Sequence, residues 1–201
     1  MFKISVIIPM FKAKDYIDCC LASLSRQGLT DEELEVLFID DCSPDDTFEY
    51  AVNKCKNRNN IKVLRQEKNG GPGKARNRGI DEATGEYICF LDIDDMYVDG
   101  SFEEMYNAAK AVNADVYYST LMYMTVAKEN PIDLATLKED ELIKMGIWGR
   151  EVPTDLEDEE IHIAGDIKTR MDLWLKSYYS WTSVGKLFKR TFLKEFVHFK
   201  L

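Results

Sequence analysis

The stretch Ile4-Ser5-Val6-Ile7-Ile8 is a short and almost unbroken apolar run that ends at Pro9. Such runs are typical of strands that are buried on both faces of a parallel sheet. Four later runs have the same character and span 34–39, 61–64, 87–91 and 116–123. Helical periodicity fills the intervals, and strand–helix units with short connections predict an α/β fold with a mostly parallel sheet covered by helices on both faces.

Cap and breaker residues predict where the helices begin. Asp15 is a candidate N-cap, the second helix is expected at about 46–56, Pro72 opens the third, and Ser101 to Glu104 reads as a capping box. Apolar spacing predicts which residues of two helices face the core. In the second helix they are Phe48, Ala51, Val52 and Cys55, and in the helix after the capping box they are Met105, Ala108, Ala109 and Val112.

Composition limits the class of protein. The 201 residues suit one large domain, and 26 basic against 36 acidic side chains give a net charge of −10. That charge argues against a nucleic-acid partner and suits an enzyme that recruits divalent cations. Five cysteines without a C-x-x-C motif predict reduced, mostly buried thiols of a cytoplasmic protein, and two distant histidines disfavour a zinc site or a serine triad.

The residues that follow the first four apolar runs are candidates for a ligand site. In open parallel sheets, ligands bind beyond the carboxyl ends of the strands, where the strand order reverses. If the strand order is 3-2-1-4, four loops become neighbours at one edge: 9–11, 40–46, 69–77 and 92–95. Each has a simpler interpretation too, since Phe11 suits a core, Asp40-Asp41 suits a turn, and the glycine-rich loop matches neither a Walker nor a G-x-G-x-x-G motif.

Asp92-Ile93-Asp94-Asp95 is the strongest of these signals. Three carboxylates within four residues at a strand end repel one another unless a cation lies among them. Oxygen-only ligands favour Mg²⁺ or Mn²⁺, and the spacing does not fit an EF-hand loop, because Met96 stands at its fifth position. The sequence therefore predicts a divalent-metal site here.

Four motifs occur in order along the first half of the chain. They are SVIIP-x-F at 5–11, FIDDCS-x-D-x-T at 38–47, N-x-G-x-x-x-ARN-x-GI at 69–80 and GEYI-x-FLD-x-DD at 85–95. Together they resemble the family 2 glycosyltransferases, which are inverting enzymes of the Rossmann-like GT-A fold. The resemblance covers residues 3–100, and KLFKR-x-FL at 186–193 is a weaker match to a later segment of bacterial members.

The resemblance implies a nucleotide-binding set, namely Pro9, Phe11, Asp41, Arg76 and Asp92. Phe11 would stack on a uracil ring, Asp41 would accept the base N3–H, and Arg76 lies in the stretch that contacts the nucleotide. Cys42 departs from the family pattern, since glycine usually stands there.

The resemblance also implies a metal-assisted transfer. Asp94, with Asp95, would direct Mn²⁺ or Mg²⁺ onto the diphosphate of a nucleotide-sugar donor, with a carbohydrate or lipid-linked carbohydrate as acceptor. An inverting displacement needs a base for the acceptor hydroxyl. Asp166 is the candidate within the chain, although a helix N-cap at that position explains it equally well.

The domain organisation expected from these motifs is a nucleotide-sugar-binding half at 1–115 and an acceptor-facing half at 116–201. Because the chain stops within an apolar pattern, it is expected to be a piece of a longer protein, whose missing C-terminal region is one means of contact with the inner face of the membrane. Two rival functions stay open. They are a nucleotide-sugar-binding module without a base, and a haloacid-dehalogenase-type phosphatase, which disagrees with Met96 and with the motif's place on the fourth strand.

Overall fold

The computed structural model describes residues 1–118, 123–125 and 185–196. The prediction of Asp166 as a candidate base falls between 126 and 184 and lies outside the described residues. All of the elements below belong to one compact unit, formed by Met1–Arg150 and Ser183–Leu201.

Eight strands and five helices make up the described part of the chain. The strands are β1 (Ile4–Met10), β2 (Leu34–Asp40), β3 (Ile61–Arg65), β4 (Tyr87–Phe90), β5 (Asp95–Tyr97), β6 (Val116–Tyr118), β7 (Tyr123–Thr125) and β8 (Lys186–Lys189). The helices are α1 (Ile17–Leu24), α2 (Thr47–Cys55), α3 (Pro72–Glu82), α4 (Ser101–Ala111) and α5 (Arg190–Phe196), with one turn of 3-10 helix at Lys14–Tyr16.

Six strands form the main sheet in the order β3-β2-β1-β4-β8-β6. The first four are parallel, and the predicted order 3-2-1-4 is confirmed. β8 is antiparallel to both β4 and β6. The strand order reverses at β1, because the chain moves outward to β2 and β3 before it returns to β4, so the carboxyl ends of β1 and β4 flank a crevice suited to a ligand.

The sheet is buried on both faces, as the apolar runs predict. One core contains Ile4, Val6 and Ile8 of β1 together with residues of α1, α2 and α4. The other contains Ile7 of β1 together with Ala75 and Ile80 of α3. At Gly79 an added Cβ would lie 2.3 Å from Ile7 Cγ2, so glycine lets α3 approach the strand closely.

A polar network crosses the sheet near the amino ends of its strands. Glu35 is 1% exposed, and its carboxylate accepts hydrogen bonds from Ser5 Oγ, from Lys62 Nζ at 2.9 Å and from Thr84 N at 2.8 Å. Gly85 N in turn donates to Ser5 Oγ at 2.8 Å. Burial by itself would raise the pKa of Glu35, but these hydrogen bonds outweigh it and hold the pKa below its ordinary value.

Several local predictions are wrong. Val52 and Val112 are 42% and 43% exposed instead of facing the core, while Phe102, which was not predicted, is fully buried. Asp15 does not cap α1, which continues from the 3-10 turn without a side-chain cap.

The predicted capping box is wrong as well. Gly100, at φ +80°, precedes α4, and the hydroxyl of Ser101 donates to the carbonyl of Val98.

The predicted fifth strand at 116–123 is also two separate strands, β6 and β7, of which β7 pairs with β5 in a small second sheet. In the described residues no helix is both long and apolar enough to cross a membrane.

Candidate functional site

The loops after β1 and β2 are joined by backbone hydrogen bonds at the carboxyl edge of the sheet. Asp41 N donates to Met10 O at 2.8 Å, and Lys12 N donates to Ser43 Oγ at 3.0 Å. Since β1 and β2 are adjacent and parallel, these contacts continue the sheet past the ends of its strands. The two loops therefore form one continuous surface.

Phe11 is the aromatic side chain on this surface. It is 46% exposed, although a phenylalanine one residue beyond a buried strand would usually join the core. The ammonium of Lys12 lies 5.5 Å from the centroid of its ring. The interpretation of Phe11 as a core residue is thus wrong, and nearly half of the residue is exposed at this edge. Pro9, also in the predicted set, is half-buried within β1.

Asp41 joins this surface to the glycine-rich loop that follows β3. Its carboxylate is buried, and each oxygen accepts one backbone hydrogen bond, from Gly70 N at 2.9 Å and from Gly71 N at 2.7 Å. The side-chain amide of Asn69 also donates to the carbonyl oxygen of Asp41 at 3.2 Å. Asp41 therefore lies at the predicted edge, but its carboxylate already has two partners within the protein.

Cys42 has the backbone conformation that glycine adopts without cost. Its φ is +60°, in the left-handed region. This conformation costs a residue with a side chain about 1–2 kcal/mol. The loop therefore keeps the shape that the family pattern reaches with glycine, and Cys42 bears the strain. Its thiol lies 4.0 Å from the carbonyl oxygen of Glu67, which belongs to the loop after β3.

α3 brings Arg76 to the turn that follows β4. The Arg76 guanidinium donates to the carboxylate of Asp92, and their side chains are 14% and 42% exposed respectively. Ala75 on the same helix is part of the core on that face of the sheet, so the helix packs against the sheet beside Arg76. The fourth loop is thus joined to the third, and all four loops lie along one edge as predicted.

The three carboxylates after β4 have different environments. Asp92 and Asp94 are half-buried in the turn, whereas Asp95 is 8% exposed and begins β5. Burial, together with the charge of Asp94, raises the pKa of Tyr16, so the phenol lies within the electrostatic reach of Asp94. Of the two neighbouring carboxylates, Asp94 is therefore the more exposed.

The donor set at this turn fits a hard divalent cation that also binds a ligand. Within residues 1–118, 123–125 and 185–196, no three His, Cys, Asp or Glu side chains are grouped to hold a metal ion by themselves. One or two carboxylates suit Mg²⁺ or Mn²⁺ when substrate phosphates supply further oxygens. The arrangement is thus compatible with a metal that arrives with a phosphorylated ligand.

Lys186 is a residue near the site that sequence reasoning did not single out for a role. It begins β8, directly before Leu187, which pairs with Cys89 of β4, and it is 1% exposed. Burial lowers the pKa of its ammonium group. A lysine at the start of an apolar strand is the only signal in the sequence that points to it.

Tyr97 fastens β8 to the first half of the chain. Its hydroxyl accepts a hydrogen bond from Gly185 N at 2.7 Å and lies 3.2 Å from Cys89 Sγ.

Burial raises the pKa of the Cys89 thiol to about 12. All five cysteines are free in the structure, and Cys20, Cys55 and Cys89 are buried. Asp166, the candidate base, lies outside the described residues.

The sheet order and the convergent loops define an open α/β fold with a candidate ligand site where the strand order reverses. The model of the family named glycosyl transferase family 2 matches residues 5–145. The chain belongs to that family, which confirms the resemblance in the motifs and extends it beyond residue 100.

Two curated relatives illustrate the similarity. Poly(ribitol-phosphate) β-N-acetylglucosaminyltransferase TarS of Staphylococcus aureus is 34% identical over 197 residues, which are 97% of this chain and 29% of TarS. The uncharacterized glycosyltransferase YibD of Escherichia coli is 36% identical over 154 residues, which are 76% of this chain and 39% of YibD. The chain thus spans about a third of the length of these relatives.

Solved structures agree with the fold. The crystal structure of S. aureus TarS 1–349 in complex with UDP-GlcNAc aligns with a TM-score of 0.53 and 38% identity, covering 57% of this chain and 33% of that one. The structure of TarS 1–349 in complex with UDP aligns with the same TM-score and identity, covering 57% of this chain and 34% of that one. The predicted GT-A-like fold, with a mostly parallel sheet between two layers of helices, is therefore confirmed.

Proposed function

We propose that this chain is the donor-binding region of a glycosyltransferase that moves a sugar from a UDP-sugar to an acceptor hydroxyl with inversion. The observation that carries the proposal is the convergence of the four loops, because it brings an exposed aromatic ring, a buried carboxylate, an arginine and an acidic turn to one edge. The ring and the buried carboxylate suit a base, the arginine suits a diphosphate, and the acidic turn suits a cation.

The nucleotide end is proposed to lie at Phe11 and Asp41. The half-exposed ring of Phe11 can stack on a base, and the carboxylate of Asp41 can accept the N3–H of uracil with a remaining lone pair. Uridine is favoured over cytidine, since cytosine presents an acceptor at N3. The solved TarS complexes with UDP and UDP-GlcNAc support uridine as the nucleotide.

The diphosphate end is proposed to lie at Arg76 and the acidic turn. Asp94, with Asp92 or Asp95 beside it, would hold Mn²⁺ or Mg²⁺. A bound ion supplies Lewis-acid stabilisation of the leaving diphosphate. Arg76 is oriented by its ion pair with Asp92 and adds positive charge, which a chain with net charge −10 needs in order to admit an anionic donor.

The acceptor side is proposed to lie within 116–201, with the donor side at 1–115. Asp166 stays the candidate for the base that takes the proton of the acceptor hydroxyl. The similarity to a poly(ribitol-phosphate) glycosyltransferase supports a carbohydrate or lipid-linked carbohydrate as acceptor and a role in polysaccharide biosynthesis. A cytoplasmic location, at the inner face of the membrane or away from it, is part of the same proposal.

The test is a thermal-shift screen of UDP-, GDP-, CDP- and dTDP-sugars, each with and without Mn²⁺. A ligand at 100 times its Kd adds about 2.7 kcal/mol to the free energy of unfolding, which gives a readily measured shift. The proposal predicts stabilisation by UDP-sugars that depends on the metal. Stabilisation by another nucleotide alone, or by none, would contradict it.

A second candidate is a nucleotide-sugar-binding module without transfer activity. It is favoured by the position of the proposed donor-binding residues Phe11, Asp41 and Arg76, which all lie within residues 1–115. Donor binding without transfer to any acceptor and without donor hydrolysis would select this function. Formation of a phospho-aspartate at Asp92 would instead select the phosphatase.

A further inference from the structure

The contact between Asp41 and the glycine-rich loop is a paired one. One carboxylate oxygen accepts from Gly70 N at 2.9 Å and the other from Gly71 N at 2.7 Å. Hydrogen bonds to an ionised acceptor are about twice as strong as neutral ones. A second link comes from Asn69, whose side-chain amide donates to the carbonyl oxygen of Asp41. The loop is thus held to the end of β2 at three successive residues.

The backbone of this loop requires such support. Gly71 has φ +82° and ψ 166°, a conformation that is essentially restricted to glycine. An added Cβ at Gly71 would meet nothing within 4 Å, so the backbone angle, and not lack of space, requires glycine there. Glycine is also the residue that gains most entropy when it is released. Without the carboxylate, Gly70 and Gly71 would lose the acceptor for their N–H groups, and the loop would lose its main restraint.

The restrained loop is also the entry to α3. Gly71 is the N-cap of this helix, Pro72 is its first residue, and Arg76 lies in its second turn. Arg76 reaches Asp92 from there, and only 14% of its side chain is exposed to solvent. A shift of the loop would therefore displace the first turns of the helix and the guanidinium that they carry.

We infer that Asp41 is a positioning residue for Arg76, in addition to its proposed contact with the base. It acts through the N–H groups of Gly70 and Gly71, which set the entry of α3 and hence the place of Arg76 at the diphosphate. An ionised carboxylate has about four acceptor sites, so two glycine contacts leave room for a base N–H. The inference rests on the proposed function, because it concerns the diphosphate end of the same site.

A ligand without a base separates the two roles of Asp41. Magnesium pyrophosphate offers the diphosphate and the metal but nothing for Asp41 or Phe11 to recognise directly. Binding of pyrophosphate and of UDP, both with Mg²⁺, would be measured by calorimetry for the wild type, D41A and F11A. We expect F11A to weaken UDP alone, and D41A to weaken both ligands, with pyrophosphate affinity lower by about fivefold or more. Unchanged pyrophosphate affinity in D41A would overturn the inference.

Hydrogen exchange of the unliganded proteins gives a readout that does not depend on binding. The amides of Gly70 and Gly71 should be protected in the wild type and in F11A, and should exchange faster in D41A. The conservative variant D41N keeps one acceptor oxygen, so it should fall between wild type and D41A in both measurements, and it replaces D41A if that protein does not fold. Equal protection of both amides in wild type, D41A and D41N would also overturn the inference.

The two proposals fail in different ways. If the wild type binds neither UDP nor pyrophosphate, the proposed function is wrong, and amide exchange alone decides whether Asp41 restrains the loop. If the wild type binds both ligands and D41A loses only UDP, the proposed function stands and the positioning role is wrong.

Discussion

Arg76 and Asp92 form an ion pair between α3 and the turn after β4, with the guanidinium mostly buried and the carboxylate partly open to solvent. The pair connects the third and fourth ligand loops, whose strands β3 and β4 lie on opposite sides of β1. An arginine that an ion pair holds beside an acidic turn is suited to a doubly charged ligand such as a diphosphate.

Replacement of Arg76 by glutamine tests this assignment. Asp92 is 42% exposed, so water can replace its partner in R76Q, and the free energy of unfolding should fall by only about 1 kcal/mol, while UDP affinity with Mg²⁺ should fall about tenfold. Calorimetric titration and chemical denaturation measure the two quantities. K54Q is a matched control, since Lys54 pairs with Asp18 on the exposed surface of α1 and α2. Equal UDP affinity in R76Q and K54Q would contradict the assignment.

Replacement of Asp94 by asparagine tests the metal. Asparagine has nearly the shape of aspartate but removes one anionic ligand. UDP affinity with Mn²⁺ should therefore fall by about tenfold or more, while the metal-independent part of binding stays unchanged. Titrations with Mn²⁺ and with a chelator separate these parts. D99N serves as control. Asp99 follows Asp94 a few residues further along the chain, and its exposed carboxylate pairs with Arg26. A similar loss in D99N, or none in D94N, would exclude Asp94 as a ligand.

The base preference tests Asp41 and Phe11 together. An unpaired acceptor against Asp41 costs about 1–3 kcal/mol, so UDP should bind about tenfold to a hundredfold more tightly than CDP. D41A should reduce this ratio toward one, and F11A should weaken UDP and CDP alike. Calorimetry with both nucleotides in the presence of Mn²⁺ gives the ratio. A lower melting temperature in D41A with an unchanged ratio would mean that Asp41 serves the loop alone.

The Glu35 network predicts a specific pH dependence of stability. The pKa of Glu35 in the folded state lies below its ordinary value of 4.5, so its contribution is complete above that pH and is lost as the pH falls through the folded-state pKa. E35Q should lower the free energy of unfolding by about 1–3 kcal/mol at pH 7, and the difference from wild type should shrink in acid. Denaturation curves from pH 3 to 7 measure it, with E82Q at the exposed end of α3 as control. A difference that stays constant over this range would refute the prediction.

Cys42 predicts a stabilising substitution. C42G relieves a left-handed strain of about 1–2 kcal/mol and gives back about 0.5–1 kcal/mol through the greater freedom of the unfolded chain. C42A keeps the strain and removes the thiol, so it isolates the backbone effect from the loss of the sulfur. Thermal unfolding should rank C42G above C42A. The reverse order would show that the loop can relax without glycine.

The sheet and the edge could be predicted from sequence because the signals are local. The run at 4–8 and its three counterparts are apolar enough to identify buried strands, and short connections then restrict their order. The carboxyl ends of these strands hold Phe11, Asp41 and Asp92, so sequence alone brings these residues to one edge.

Features that depend on distant partners could not be predicted. β8 pairs with β4 across about one hundred residues, and its sequence Lys-Leu-Phe-Lys fits a strand or a helix equally well. The glycine contacts of Asp41 depend on backbone N–H groups, which every residue type except proline carries. Glu35 did leave a signal, because a lone carboxylate within the apolar run of β2 needs a buried partner.

The position of β8 between β4 and β6 has a consequence for biosynthesis. During translation, β4 is synthesised about one hundred residues before β8, the strand that pairs with its outer edge. β6 also lacks its partner until β8 is synthesised. An open edge of this kind is a template for pairing with other chains. The nascent protein therefore passes through an interval in which its donor side is nearly complete while one side of its sheet is still exposed to aggregation.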